Sequence, residues 1–175
     1  MRIAFVSAQQ HESLVDLLCE LYAFYNDAST VSRSAVQAHL IENLLAVDSP
    51  VRLVVASRAN SDIVGFTAIG LFYSLIDPTP EKRRQCLVKE LFVRSSERSH
   101  GVGRALMAWV ARYAVESGCC RIDWPVNASN RDGISFYEDL GAEHVSERLS
   151  YRLSGSNLVR LARENADGLL GAKRN

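Results

Sequence analysis

Residues 98–106, "RSHGVGRAL", set two glycines one residue apart between two arginines, directly ahead of an apolar helical pattern. A helix N-terminus leaves about four N–H groups without intrahelical partners and carries roughly half a positive charge. Glycines at such a turn let backbone amides approach an anion closely, and Arg98 and Arg104 would add to the attraction. The plainer alternative is an ordinary helix start in which glycine only eases the turn. Two phosphate loops are excluded by the neighbouring residues. A dinucleotide fingerprint requires a third glycine where Leu106 stands, and a nucleotide-hydrolysing loop requires lysine and then serine or threonine where Arg104 and Ala105 stand.

These residues need elements to hold them, and the hydrophobic periods supply an order. "RIAFVSA" (2–8) alternates as a first strand, after which Leu14, Leu17, Leu18, Leu21 and Tyr25 recur at helical spacing, as do Val36, Leu40 and Leu44. The segments 51–59 and 63–75 flank the polar "NSD" and read as an antiparallel hairpin, and 85–93, "QCLVKELFV", reads as the next strand. The glycine-led helix presents Val102, Leu106, Trp109, Val110 and Tyr113 and stops at Gly118. "CRIDWPV" (120–126) predicts a strand, 130–141 a short helix capped by Asn130 and ended by Gly141, and "HVSERLSYRL" (144–153) a final strand or pair. A weak amphipathic helix, "NLVRLARE", then leads into a fraying tail. The sum is a single α/β domain, a mixed sheet with a parallel crossover through the glycine helix, over 1–155, and a helical extension over 156–175.

Composition removes several classes of function. Twenty basic residues against twenty acidic ones give no net charge, so no global field recruits nucleic acid or an anionic membrane. "EKRRQ" is a basic cluster, but Arg83 and Arg84 have no interleaved aromatic residues for base stacking. No apolar run reaches the roughly 18 residues of a membrane span, and the first residues are too weakly apolar for a signal peptide, so the expected location is the cytoplasm. Cys19, Cys86, Cys119 and Cys120 have no zinc-ligand spacing, so no metal is expected, and they read as reduced, mostly buried thiols. Glu90 alternates with Lys89 along its strand, so one of the two faces the cleft; an ordinary surface ion pair is the competing role. Tyr137, beside Phe136, could be a core aromatic.

The spacing Arg98-x-x-Gly101-x-Gly103, following a strand that ends in "KELFV", resembles the first signature of the GNAT superfamily of acetyl-CoA-dependent N-acetyltransferases. "NASNRDGISFYEDLGA" resembles the second, with Asn130, Phe136, Tyr137 and Gly141 on its positions. "LCELYAFYN", "KELFV", "DW" and "FYEDLGA" look most like the diamine and polyamine branch. The resemblance implies a mostly antiparallel sheet with a V-shaped splay between the fourth and fifth strands. It further implies acetyl-CoA bound by Leu91, Phe92, Val93, Arg98, His100, Gly101, Val102, Gly103, Arg104, Asn130 and Tyr137. In that picture a backbone amide of the Leu91 to Val93 segment polarises the thioester, Glu90 binds or deprotonates a small amine acceptor, and Tyr137 protonates the leaving thiolate. A homodimer is the family's habit. Lys89 departs from the branch, where a second acidic residue is common, and this counts against a polycationic acceptor. Two alternatives stand beside this reading: an acyl-CoA-binding regulatory module without turnover, and a protein or peptide N-acetyltransferase.

Overall fold

The computed structural model describes residues 1–27, 29–59 and 61–171. Its five strands are β1 (Arg2–Phe5), β2 (Arg52–Ser57), β3 (Ile63–Tyr73), β4 (Arg84–Val93) and β5 (Ile122–Asp123), and they lie side by side in that order. β1 to β4 pair antiparallel, whereas β5 runs parallel to β4. The helices are α1 (His11–Tyr25), α2 (Arg33–His39), α3 (Val102–Glu116), α4 (Arg131–Glu138) and α5 (Gly155–Gly171). The chain folds into two compact units, Met1–Ile134 and Ser135–Asn175.

In the first unit the period-two pattern of the sheet sends alternate residues to two helical layers. Leu14 and Leu17 of α1 pack with Leu53 and Val55 of β2, Phe66 and Ala68 of β3, and Phe92 of β4. Each fully buried aliphatic side chain of this kind stabilises the fold by about 1.5–3 kcal/mol relative to exposure. α2 adds Val36 and passes directly into a π-helical turn, Leu40–Leu44, that buries Leu40. On the other face α3 buries Val102, Leu106 and Val110. Trp109 and Tyr113, expected on that same stripe, instead stack on each other and meet Phe5 of β1 edge-on, at 5.1 and 5.3 Å.

Three sequence expectations change. The strand predicted over 120–126 shrinks to two residues, because Pro125 has no N–H to extend a ladder. Segment 144–153 of the second unit forms no strand, although Leu149, Tyr151 and Leu153 alternate as one would; they are 76%, 89% and 47% exposed. A strand needs a paired neighbour to satisfy its backbone, and none of the described residues pairs with this segment. The helix of the tail runs further than its sequence signals, since α5 continues to Gly171; the last four residues of the tail expected to fray lie outside the described ones.

α3 passes close over Gly65 of β3. A Cβ there would sit 3.1 Å from the Phe92 carbonyl oxygen, 3.1 Å from the Val102 side chain and 3.3 Å from Leu106. Gly65→Ala should therefore lower stability by about 1–3 kcal/mol, as overpacking does, read as a lowered midpoint in urea or thermal unfolding.

Candidate active site

β4 carries the central side chain of the site, and an irregularity aims it. Ala68 pairs with Glu90, but the next residue, Ile69, pairs with Val88, so Lys89 is an extra residue opposite no partner. Such a β-bulge switches the parity of everything beyond it. Val88 pairs with Ile69, which shares the α3 face with Gly65, whereas Glu90 and Phe92 pair with Ala68 and Phe66 on the α1 face. The buried hydroxyl of Thr67 donates to the Glu90 carbonyl oxygen at 2.9 Å and helps satisfy the distorted backbone.

On the α1 face Glu90 meets Tyr25, the last residue of α1. The Tyr25 hydroxyl donates to the Glu90 carboxylate, 3.2 Å from Oε1 and 3.3 Å from Oε2. Burial raises the Glu90 pKa from its ordinary value, while the Tyr25 hydroxyl, the Leu91 amide and the Lys89 charge pull it back. Burial, and then the Glu90 charge, raise the pKa of Tyr25, which keeps its proton and remains the donor. Among the described residues, none of the ion pairs within 4.0 Å involves Glu90. Lys89 is exposed.

The strand edge beside this carboxylate is open. Arg94 N–H donates to Val64 across the sheet, so by alternation the amides of Leu91 and Val93 point away from β3. β5 would lie on that side, but its register with β4 covers only Cys86 and Leu87. The splay expected between the fourth and fifth strands is this separation. The Val93 carbonyl accepts from Arg98 Nε at 3.1 Å, and the guanidinium carbon stands 5.3 Å over the Phe24 ring and 5.6 Å over that of Phe92. Arg98 is thus tied both to the strand and to α1, with its Nη groups left as the donors it can offer an anion.

The glycine turn follows. Gly101 is the N-cap of α3 with φ 78 and ψ 1, a left-handed conformation, and the cap makes no side-chain hydrogen bond. The first turn of α3 contains no acidic residue, and its first backbone bond is Ala105 N–H to Gly101 O. The amides of Val102 and Gly103, at the first two positions of the helix, have no intrahelical acceptor ahead of them, which is what an anion site requires. His100 and Arg104 are exposed beside them. Asn130 caps α4, accepting from Gly133 N–H at 3.0 Å. Tyr137 belongs to the second unit, where it is half-buried against Phe136 with ring centroids 5.1 Å apart.

The structure thus gathers Glu90, the Leu91 and Val93 edge amides, and Arg98 along one stretch of chain, with the glycine turn next in sequence. Sequence reasoning missed Phe24 and Tyr25. Tyr25 falls on the helical spacing of the apolar stripe of α1, yet it is 58% exposed and spends its hydroxyl on Glu90. A polar-tipped aromatic in a helix's last turn was the only available signal, and a weak one. All four cysteines are free; Cys86 is buried, with a pKa pushed up to about 11 first by burial, while Cys19 and Cys119 are half-buried and Cys120 is exposed. No group of three potential metal ligands occurs among the described residues, and no helix there is long and apolar enough to cross a membrane.

The acetyltransferase (GNAT) family profile matches residues 15–142, and the chain belongs to that family. It is similar to an L-ornithine N5-acetyltransferase of Arabidopsis thaliana, 35% identical over 78 residues, or 45% of this chain and 34% of that protein. It is also similar to a thialysine N-epsilon-acetyltransferase of Mus musculus, 27% identical over 103 residues, or 57% of this chain and 58% of that protein. The matches therefore span about a third and somewhat over half of these relatives' lengths. Among solved structures, an integron cassette protein from the mobile metagenome of V. cholerae superposes with a TM-score of 0.83 at 28% identity, over 93% of this chain and 97% of that one.

The two glycines of the turn are constrained differently. Gly101→Ala places a side chain at φ 78 and should cost about 1–2 kcal/mol. Gly103 lies within helical α3, so Gly103→Ala should leave stability unchanged or raise it by up to about 1 kcal/mol. Unfolding midpoints of the two variants check the contrast.

Proposed function

We propose that the protein transfers the acetyl group of acetyl-CoA to the primary amine of a small aliphatic acceptor, by direct attack in a ternary complex. The observation that carries this reading is the Glu90 carboxylate, held by Tyr25 with no ion-pair partner among the described residues, beside the outward-facing amides of Leu91 and Val93. Those amides suit an added pantetheine arm, which would hydrogen-bond along the strand edge as a further strand does. The turn that opens α3 at Gly101, with Arg98 and His100 beside it, suits the pyrophosphate, and Asn130, the cap of α4, would be a further cofactor contact. One edge amide would donate to the thioester oxygen as it becomes an oxyanion, where such a bond counts most.

An alkylammonium has a pKa of about 10.4 and no lone pair at neutral pH, so the acceptor must lose a proton before it attacks. Glu90 takes that proton, through water or directly, and burial favours the protonated carboxyl that results. The amine nitrogen then bonds the carbonyl carbon, the C–S bond breaks as Tyr137 gives its proton to the departing thiolate, and the second proton that the nitrogen sheds on becoming an amide restores the Tyr137 phenol through solvent. Diamines, polyamines and amino acids with a side-chain amine are the acceptor classes to consider. The names of the relatives favour the last, since ornithine and thialysine both carry a terminal amine on a short chain. Lys89 argues against the longest polycations.

The reading extends to the whole protein. Residues 1–155 form the catalytic domain, 156–175 an extension, and the protein works in the cytoplasm as a homodimer. Leu75 and Ile76, 102% and 94% exposed, and the unpaired apolar alternation at Leu149, Tyr151 and Leu153 are surfaces that a second copy would cover.

A coenzyme-release assay over a panel of diamines, polyamines, amino acids, aminoglycosides and peptide N-termini tests the function directly. Tight acetyl-CoA binding without release from any member of the panel would favour a binding module. Gly103→Glu should abolish acetyl-CoA binding in calorimetry while the protein remains folded, because a side chain and a negative charge would both occupy the place proposed for the pyrophosphate. With an acceptor in hand, Glu90→Gln should slow turnover at neutral pH and lose less at high pH, where the amine deprotonates unaided; an equal loss at every pH contradicts a base. Tyr137→Phe should cost about 10²-fold in turnover with acetyl-CoA affinity retained, and unchanged turnover in a stable variant refutes the acid role.

A further inference from the structure

We propose that Tyr25 is a positioning residue that holds the Glu90 carboxylate in place beside the open edge of β4 and keeps it ready to accept the acceptor's proton. The proposal rests on the reading of Glu90 as the group that takes that proton. Its geometry is specific: the hydroxyl stands 3.2 and 3.3 Å from the two carboxylate oxygens, so it bridges the fork and fixes the carboxylate's rotation. The Tyr25 ring is braced in turn. It meets Phe24 edge-on at 5.2 Å, and Phe24 meets the core residue Phe92 at 5.9 Å.

Tyr25 is poorly suited to a purely structural role, because it is 58% exposed and buries little area. Its chemistry suits positioning. A base for an ammonium must keep its negative charge, and an arginine or lysine at this place would orient Glu90 but also neutralise it. A phenol orients it as a neutral donor. Glu90 accordingly has no ion-pair partner among the described residues, and its charge is left for the incoming cation.

The groups acting on this carboxylate are few. From α1 it meets Tyr25; from β3, Thr67 bonds only its main-chain carbonyl; on β4 it has the Leu91 amide and, more distantly, the Lys89 charge. A hydrogen bond to the ionised form favours that form, so removing the hydroxyl should raise the pH at which Glu90 takes up a proton.

The test is Tyr25→Phe, read in two ways. Carboxyl-carbon NMR of the protein without substrates follows the Glu90 titration, which should move to higher pH. The rate profile with an accepted amine should lose about two- to fivefold on its acidic limb, as removal of one exposed hydrogen bond implies, with acetyl-CoA affinity unchanged. In a Glu90→Gln background the same substitution should cost nothing further. An unmoved Glu90 titration overturns the proposal and leaves acetyl transfer intact. A titration that moves while the acidic limb stays fixed shows that Glu90 does not govern the rate, and overturns both this proposal and the base assignment. An undiminished cost of Tyr25→Phe in the Glu90→Gln background shows that Tyr25 acts independently of Glu90, and overturns the proposal as well.

Discussion

One extra residue in β4 decides what the site contains. Without the bulge at Lys89, Glu90 would keep the parity of Cys86 and Val88 and point toward the α3 face, away from Tyr25. With it, Glu90 turns to the α1 face and finds Tyr25. The same shift places Phe92 in the core beside Phe66, which anchors the strand immediately after the carboxylate. The distortion is supported from behind by Thr67, whose hydroxyl has no other reason to lie buried in β3. Bulge, hydroxyl and carboxylate are therefore one device, and none of the three is intelligible alone.

The site is also a set of groups that the fold leaves unsatisfied. The α3 N-terminus has no side-chain cap, β5 leaves β4 after two residues, and among the described residues Glu90 has no ion-pair partner. Each omission costs stability. For Glu90 the direction in pH follows from its raised pKa: the folded protein binds this proton more tightly than the unfolded chain, so the contribution is most favourable at low pH and declines as pH rises through the folded value. Burial thus works against the charged form of this carboxylate, and the Tyr25 hydroxyl and the Leu91 amide work for it.

Much of this was legible in the sequence, for reasons that also explain what was not. The glycine turn was readable because left-handed backbone at Gly101 and a helix start at Val102 are local demands that residue types reveal. The same holds for Gly118 and Gly141, whose φ values of 73 and 83 end two helices where expected. The hairpin from β2 to β3 and the strand holding Glu90 followed from period and turn chemistry. The bulge was not readable, since Lys89 and Glu90 fit simple alternation as well as they fit a shift of register. Tyr25 was hidden because its partner is 65 residues away, and a helical stripe does not tell a buried ring from one turned toward a distant carboxylate. Segment 144–153 failed in the opposite direction: its alternation was real, but a strand also needs a partner, and pairing is not a local property.

The end of α1 ties these pieces together. Phe24 lies under the Arg98 guanidinium, Tyr25 holds Glu90, and both rest through Phe92 on the same core. Arg98 in turn bonds the Val93 carbonyl, on the strand edge that begins with the Leu91 amide. A single helical turn thus contacts both Arg98, which leads into the glycine turn, and Glu90. Displacing that turn disturbs both sides at once, whereas a change confined to the Tyr25 oxygen touches only one. Hydroxyl and ring can therefore be separated: the ring and Phe24 belong to the packing that sets the distance between the two halves of the site, and the hydroxyl to the charge state of Glu90 alone.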